Sequence, residues 1–575
     1  MPLLLRLLVL AALLSACGAP TPTREDGEHC IGDAGCAATP TAALQVARLL
    51  SQRAVRRADN ENALGDWSRC AALAHQALTA PDASAAREAA SLATHCTDRF
   101  LALALRRGGG RWSAGPARVG DADLVIEHRG LSPSFTPGLS LVRAQDVSMA
   151  IFDGQRFATP GYGVPVAALT PRCSHALACQ LQPPEGVFRW ATVWFEAGED
   201  ADAPPRMLIA DPLVTGPLRI AGRRIPLALD TSAHYAHGAG TSPLPHLGVF
   251  GLLGGREIGR RSGVYVLGDY DPRKPPLVML HGLGSNPLIW AKLSNAVWGD
   301  PLLRDRFQIW HVVYQTDAPL LVTRLRVQGY LDQAWQLLDP EGDDPARRGM
   351  VLVGHSMGGV VSRLLSVDTG DTLWNAAFTV PPEQLPGEAA DREGILATFR
   401  FTPYPGVTRA IFIAAPHRGS PTADGWLGRL TRLLVGRRVP EVQALRRLAN
   451  RHPDAVREEV RESYRLGALN SIATLQSAQP VRRAGEKLMP VPWIPHHSIA
   501  GALPGREPKT DGAVPLESTQ LASAASTLVI ATGHDVYRHD EAIAEVLRIL
   551  HLELAAAEAA AAQGAAVMPP APASE

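Results

Sequence analysis

Residues Met350 to Gly359 read Met-Val-Leu-Val-Gly-His-Ser-Met-Gly-Gly. A short apolar run of β character leads into a Gly-x-Ser-x-Gly turn, and a helical segment follows. In such a strand-to-helix turn the serine is held in a strained conformation that pushes its hydroxyl outward, while the glycines let neighbouring backbone pass close by. The pentapeptide alone is a weak signal; the strand before it and the helix after it make it a strong one. Ser356 is the candidate nucleophile.

A serine hydroxyl needs a base, a partner for the base and donors for the oxyanion. Leu277-Val278-Met279-Leu280-His281-Gly282-Leu283-Gly284 is a strand entering a glycine-containing turn. The N–H of Leu283 and the N–H of Met357, next after the nucleophile, are the candidate oxyanion donors. In this architecture the chain order is serine, acid, histidine. Leu528-Val529-Ile530 ends in Ala531-Thr532-Gly533-His534 just before an amphipathic helix, so His534 is the expected base; His539, at the helix start, and His551, inside it, compete less well. Asp511, in Thr510-Asp511-Gly512-Ala513-Val514-Pro515, is the expected acid. Asp317 and Asp424 are the alternatives, although Asp317 precedes the serine. No metal or organic cofactor is required by this chemistry.

Seven short apolar runs can position these groups: Val264–Leu267, Leu277–Leu280, Gln308–Tyr314, Met350–Val353, Ala410–Ile413, Ile499–Ala500 and Leu528–Ile530. Helical segments near 288–298, 322–338, 357–367 and 540–552 separate several of them. Alternating helices and short, largely apolar strands predict an α/β fold, a mostly parallel sheet covered on both faces.

The C-terminal half resembles the α/β-hydrolase superfamily, and within it the bacterial lipase and esterase branch. His281 to Gly284, Gly354 to Gly359, Ala415-Pro416-His417-Arg418-Gly419-Ser420 and Asp511 to Pro515 carry the resemblance, over residues 264 to 552. It implies a serine hydrolase with Ser356, Asp511 and His534 as triad and a structural place beside the site for His417. The stretch from Trp426 to Leu434, inside an insertion at about 420–480, is apolar and basic; in lipase-like proteins such an insertion often caps the site, and an ordinary helix packed on the sheet is an equal reading. Residues before 246 show no comparable resemblance.

The N-terminus has an Arg6, an apolar run Leu7–Leu14 and small residues, the layout of a secretory signal too short to span a bilayer. Leu14-Ser15-Ala16-Cys17 resembles a bacterial lipobox, which implies cleavage after residue 16 and acylation of Cys17; Gly18 favours the outer membrane over the inner. Residues 17–40 read as a flexible tether, 41–108 as three helical stretches, 109–245 as a β-rich module of unknown role, 246–553 as the catalytic domain and 554–575 as a disordered tail. The six cysteines beyond Cys17 allow 15 pairings; Cys30 with Cys36 and Cys173 with Cys179 close short loops, leaving Cys70 with Cys96.

The 575 residues carry 56 basic and 56 acidic side chains, a balance that gives no footprint for a nucleic-acid partner. Three domains' worth of chain excludes a single small module. These features together predict a lipid-anchored envelope hydrolase that cleaves acyl esters, as a lipase or an esterase, through an acyl-Ser356 intermediate. An acyltransferase or amidase on the same fold, or an envelope binding protein with an idle hydrolase scaffold, are the alternatives. Nothing in the sequence indicates a protein partner.

Overall fold

The computed structural model describes residues 37–57, 63–106, 111–131, 138–200, 203–242, 260–419, 440–467, 469, 474 and 480–562. Cys17, Cys30, Cys36, residues 17–36 of the expected tether, Asp424 and Trp426–Leu434 lie outside the described residues; the last residues of that stretch, 37–40, are described, with Ala37 buried and Pro40 opening the first helix. The chain divides into two compact units that alternate along the sequence: 1–147, 158–168 and 190–230 form the first, and 148–157, 169–189 and 231–575 the second. Residues 148–157, 169–189 and 231–242, expected within the β-rich module, therefore pack with the C-terminal half.

In the first unit, the three expected helical stretches are α1 (Pro40–Arg56), α2 (Leu64–Gln76) and α3 (Ala83–Leu105). Thr39 caps α1 by accepting from the Ala42 N–H at 3.2 Å, and Asp82 caps α3 by accepting from the Ala85 N–H at 2.7 Å. Along α1, Ala43, Ala47, Leu50 and Ala54 recur at helical spacing and are buried. The Cys70–Cys96 disulfide joins α2 to α3. Strands β1 (Gly115–Val119), β2 (Ala122–Arg129), β3 (Ser140–Arg143), β4 (Val164–Thr170), β5 (Val187–Glu196) and β6 (Arg206–Ala210) form a sheet of order β1-β2-β6-β5-β4-β3. Phe100 of α3 meets Phe195 of β5 edge to face at 5.0 Å in the shared core.

Two local expectations are corrected here. Ser148–Phe152, inside the stretch expected to be β-rich, contains a 3₁₀ turn at Ala150–Phe152, because Asp153 (φ 54°) and Gly154 (φ 87°) turn the chain back at once. Helix α4 (Ala233–Thr241) occupies part of the stretch expected to be β-rich.

The second unit is built on seven strands: β7 (Gly263–Leu267), β8 (Pro276–Leu280), β9 (Gln308–Val313), β10 (Met350–His355), β11 (Val407–Ile413), β12 (His496–Gly501) and β13 (Ser526–Ile530). Their order is β7-β9-β8-β10-β11-β12-β13; β7 runs antiparallel to β9 and every other pairing is parallel. Every residue of β8, β9, β10 and β12 is buried; Pro276–Leu280 and Met350–Val353 accordingly read as continuous apolar runs rather than alternating ones, whereas β12 opens on His496-His497-Ser498 and shows only Ile499–Ala500 as an apolar pair. Helices α5 (Ala291–Gly299), α6 (Leu320–Leu338), α7 (Met357–Leu364) and α8 (Ala389–Phe399) flank the sheet. Of the expected insertion, the structure describes α9 (Pro440–Arg451) and α10 (Glu458–Leu466), which bury Leu445, Leu448, Val460 and Tyr464.

The last helix, α11, runs from Asp540 to Ala562, well past the Leu554 at which a disordered tail was expected. Alanine is the best helix former, and Glu553 ties the helix to the sheet by accepting from Arg409 Nε at 2.7 Å. Register explains how the sheet gathers distant segments. Leu280 lies beside Gly354, His355 beside Ile413, Ile413 beside Ile499 and Gly501 beside Ile530. The carboxyl ends of five parallel strands thus share one edge, and the loops that follow them open there.

Candidate active site

Ser356 sits between β10 and α7 at φ 53°, ψ −121°, a conformation that costs a side-chain-bearing residue energy and is kept only by its surroundings. One restraint is its own N–H, which donates to Ile413 O at 2.8 Å. The close approach needs glycine on both sides. A Cβ on Gly354 would lie 2.3 Å from Gly358 O, and one on Gly358 would lie 2.3 Å from Leu280 O.

His534, after β13, places Nε2 2.9 Å from Ser356 Oγ and Nδ1 2.7 Å from Asp511 Oδ2. Asp511 is buried, and its other oxygen accepts from the Ala513 and Val514 N–H groups at 2.8 and 2.7 Å. The tautomer follows from these contacts. With Nδ1–H donated to the carboxylate, Nε2 presents its lone pair to the serine hydroxyl, the arrangement in which it can take a proton. Ser356, Asp511 and His534 are therefore brought together from three loops separated by up to 178 positions in the chain.

The turn after β8 is fixed by buried groups. Tyr314 donates its hydroxyl to His281 O, the His281 ring stacks on Tyr314 at 4.4 Å, and its Nδ1–H donates to Gly282 O at 3.0 Å. Burial holds the His281 pKa down to about 4, so the ring is neutral near pH 7. Thr316 Oγ1 accepts from the Gly284 N–H at 3.1 Å. Among the described residues, the amides of Leu283 and Met357 have no protein acceptor. Met357 is also the first residue of α7, so the positive end of that helix lies at its N–H.

His355, the variable position before the serine, was not singled out in the sequence. Its Nε2–H donates to the backbone carbonyl of His534 at 2.9 Å, and its ring packs against His534 at 4.9 Å and Tyr537 at 4.6 Å. Burial pulls its pKa down to about 3 and keeps it neutral. This side chain ties the His534 loop to the Ser356 turn, a role that depends on a contact across 179 positions and that no local pattern announces. Tyr314 and Thr316 were overlooked for the same reason.

The other candidates fall elsewhere. Asp317 makes no hydrogen bond to the three residues, His539 is exposed, and His551 pairs with Asp300 at 2.8 Å. The Cys173–Cys179 disulfide closes its short loop in the second unit. His417 is buried against Phe412 and stands outside the hydrogen-bonded trio.

Residues 277–546 match the family described as Alpha/beta hydrolase family. The C-terminal domain has the α/β-hydrolase fold. Among solved structures, this domain is similar to the Bacillus licheniformis lipase BlEst2 in mature form, with 18% identity over 50% of this chain and 97% of that one and a TM-score of 0.27. It is also similar to Esterase B from Lactobacillus rhamnosis, with 12% identity over 52% and 82% of the two chains and a TM-score of 0.30. Esterase RhEst1 from a Rhodococcus species matches with 14% identity over 50% and 94%, TM-score 0.23. At these identities and scores the likenesses bear on neither substrate nor mechanism. No curated protein matches the chain.

Proposed function

We propose that the protein is a serine hydrolase of carboxylic esters. The observation that carries this reading is the continuous hydrogen-bonded line from Asp511 through His534 to Ser356 on a strained turn. Ser356 Oγ attacks the ester carbonyl carbon while its proton passes to His534 Nε2, and the negative charge that develops on the carbonyl oxygen is met by the Leu283 and Met357 amides. Asp511 holds His534 in the productive tautomer and stabilises the imidazolium. The C–O bond to the alcohol then breaks, and His534 returns its proton to the departing oxygen. Water attacks the acyl-serine, giving its proton to His534; the acid is released and Ser356 recovers its hydrogen.

The finer assignments belong to the same proposal. The Leu14 to Cys17 segment supports acylation of Cys17 and attachment to the bacterial envelope, the outer membrane in the first instance. Among the described residues no helix is long and apolar enough to cross a membrane. The test of the activity is labelling by a fluorophosphonate, with turnover of p-nitrophenyl esters of graded chain length, in the chain and in Ser356→Ala. Labelling and turnover lost in Ser356→Ala support the reading; esters hydrolysed equally by both would overturn it. A correctly folded chain with neither labelling nor turnover would favour the idle scaffold instead.

A further inference from the structure

The segment Ala415 to Ser420 was singled out by its sequence, yet the catalytic trio does not use its histidine. His417 is 2% exposed, and neither of its ring nitrogens has a protein hydrogen-bond partner among the described residues. It lines a cavity of about 60 Å³ whose apolar walls include Leu320, Leu364, Leu445 and Val481. Arg363 of α7 reaches the same cavity and is 3% exposed. Its guanidinium is poorly satisfied: one Nη donates to Leu488 O at a long 3.4 Å, and Nε has no partner among the described residues.

Among the described residues, the groups that act on His417 and on Arg363 are mostly cationic. The ionisable groups that act on His417 are Arg363, His496 and Arg418, none of them acidic. The carboxylate that acts on Arg363 is Glu486, and it is already bridged at 2.6 Å to Arg482, which also lines the cavity. Glu486 is therefore not matched to the Arg363 guanidinium alone. A buried cation without a matched anion is expensive, and two buried polar side chains opening on one void define where the anion would sit.

We propose that this cavity binds a short-chain aliphatic carboxylate, its head group held by Arg363 and His417 and its alkyl chain by the apolar wall. A planar carboxylate suits the guanidinium fork, and the imidazole supplies a further N–H. Inorganic phosphate or sulfate would turn oxygens left over after Arg363 and His417 are engaged against the apolar wall, where no donor replaces their hydration. The volume restricts the chain to a few carbons, since about 150 Å³ is needed for a benzene-sized guest. None of Ser356, His534, Asp511, Leu283 and Met357 lines the cavity, so the site is separate from the reacting hydroxyl. The proposal does not rest on the esterase reading, because binding is measured without turnover.

The experiment is titration calorimetry and thermal unfolding of the full chain and of Ser356→Ala with sodium butyrate, butan-1-ol and inorganic phosphate. Butyrate should bind one to one and raise Tm in both proteins, while butan-1-ol and phosphate should not. Arg363→Met should weaken butyrate roughly tenfold or more, and Arg363→Lys should restore part of it. His417→Phe, which keeps the ring contact with Phe412, provides a second test should Arg363→Met fail to fold, and it should also weaken butyrate. Absence of butyrate binding, equal binding of butan-1-ol, or unchanged affinity in the folded Arg363 or His417 variants would overturn the proposal and leave a cavity that holds water only.

Discussion

Asp511→Asn is the most informative single substitution, because the structure dictates how the new amide must lie. The Asp511 oxygen that accepts from the Ala513 and Val514 N–H groups, at 2.8 and 2.7 Å, can be replaced only by the amide oxygen, since an NH₂ would face two donors. The NH₂ is then directed at His534 Nδ1, where the carboxylate oxygen stood at 2.7 Å. A donor in that place demands that Nδ1 accept, which moves the ring proton to Nε2. His534 would then donate towards Ser356 rather than receive its proton, and no negative charge would remain to stabilise an imidazolium. The expected loss in kcat is about 10⁴-fold, or roughly 5.4 kcal/mol at about 1.36 kcal/mol per tenfold, with KM nearly unchanged. The assay is steady-state hydrolysis of p-nitrophenyl butyrate, with circular dichroism to confirm the fold. Asp317→Asn and Asp424→Asn should stay close to the unsubstituted rate. A kcat for Asp511→Asn within tenfold of the original would refute the reasoning, and an Asp424→Asn variant that abolishes activity would move the acid to another loop.

His355→Phe should keep the ring contacts but lose the N–H to His534 O, lowering kcat by about 10²-fold at constant KM, with His355→Gln recovering part of it; equal kcat in all three proteins would remove His355 from the site. Four buried histidines, His234, His281, His311 and His355, have pKa values pulled by burial to about 3, 4, 3 and 3. Each binds a proton in the unfolded chain near pH 6.5 but not in the native one, so stability is full above that pH and falls as pH drops towards 4, by roughly 1.4 kcal/mol per histidine at pH 5.5. Urea unfolding at pH 7.5 and 5.5 should show the loss, and equal midpoints would contradict it. Cys17→Ser should abolish metabolic labelling by palmitate and shift the protein out of the detergent phase; unchanged partitioning would exclude the lipobox reading.

Much of the Ser356–His534–Asp511 geometry was legible because its signals are local. Met350–Val353 followed by Gly-x-Ser-x-Gly announces a buried strand and a sharp turn, and the apolar runs ending at Leu280 and Ile530 announce strands whose next loops carry Leu283 and His534. Asp511 is harder, since an Asp-Gly pair also occurs as an ordinary turn. Its distinction is the pair of backbone amides that orient one oxygen and leave the other for His534.

What escaped notice depends on contacts between distant segments. Helix α4 carries two glycines and no apolar period, yet Tyr235 within it packs against Trp298 at 5.2 Å and Phe152 at 6.2 Å. Tertiary packing overrides its weak propensity. The alternation of the two units along the chain is likewise invisible to a reading that looks for one boundary at a time. The Ala-rich end of α11 was misjudged on composition, although the same alanines favour helix once Ile549, Leu550 and Glu553 anchor it.

The central claim, that Ser356 is a nucleophile activated by His534, is tested most directly by intact-protein mass spectrometry after exposure to a fluorophosphonate. The account predicts a single phosphonyl adduct, mapped by peptide sequencing to Ser356, formed rapidly by the unsubstituted protein, slowly by His534→Ala and not at all by Ser356→Ala. An adduct on another residue, or equal labelling of Ser356→Ala, would contradict it.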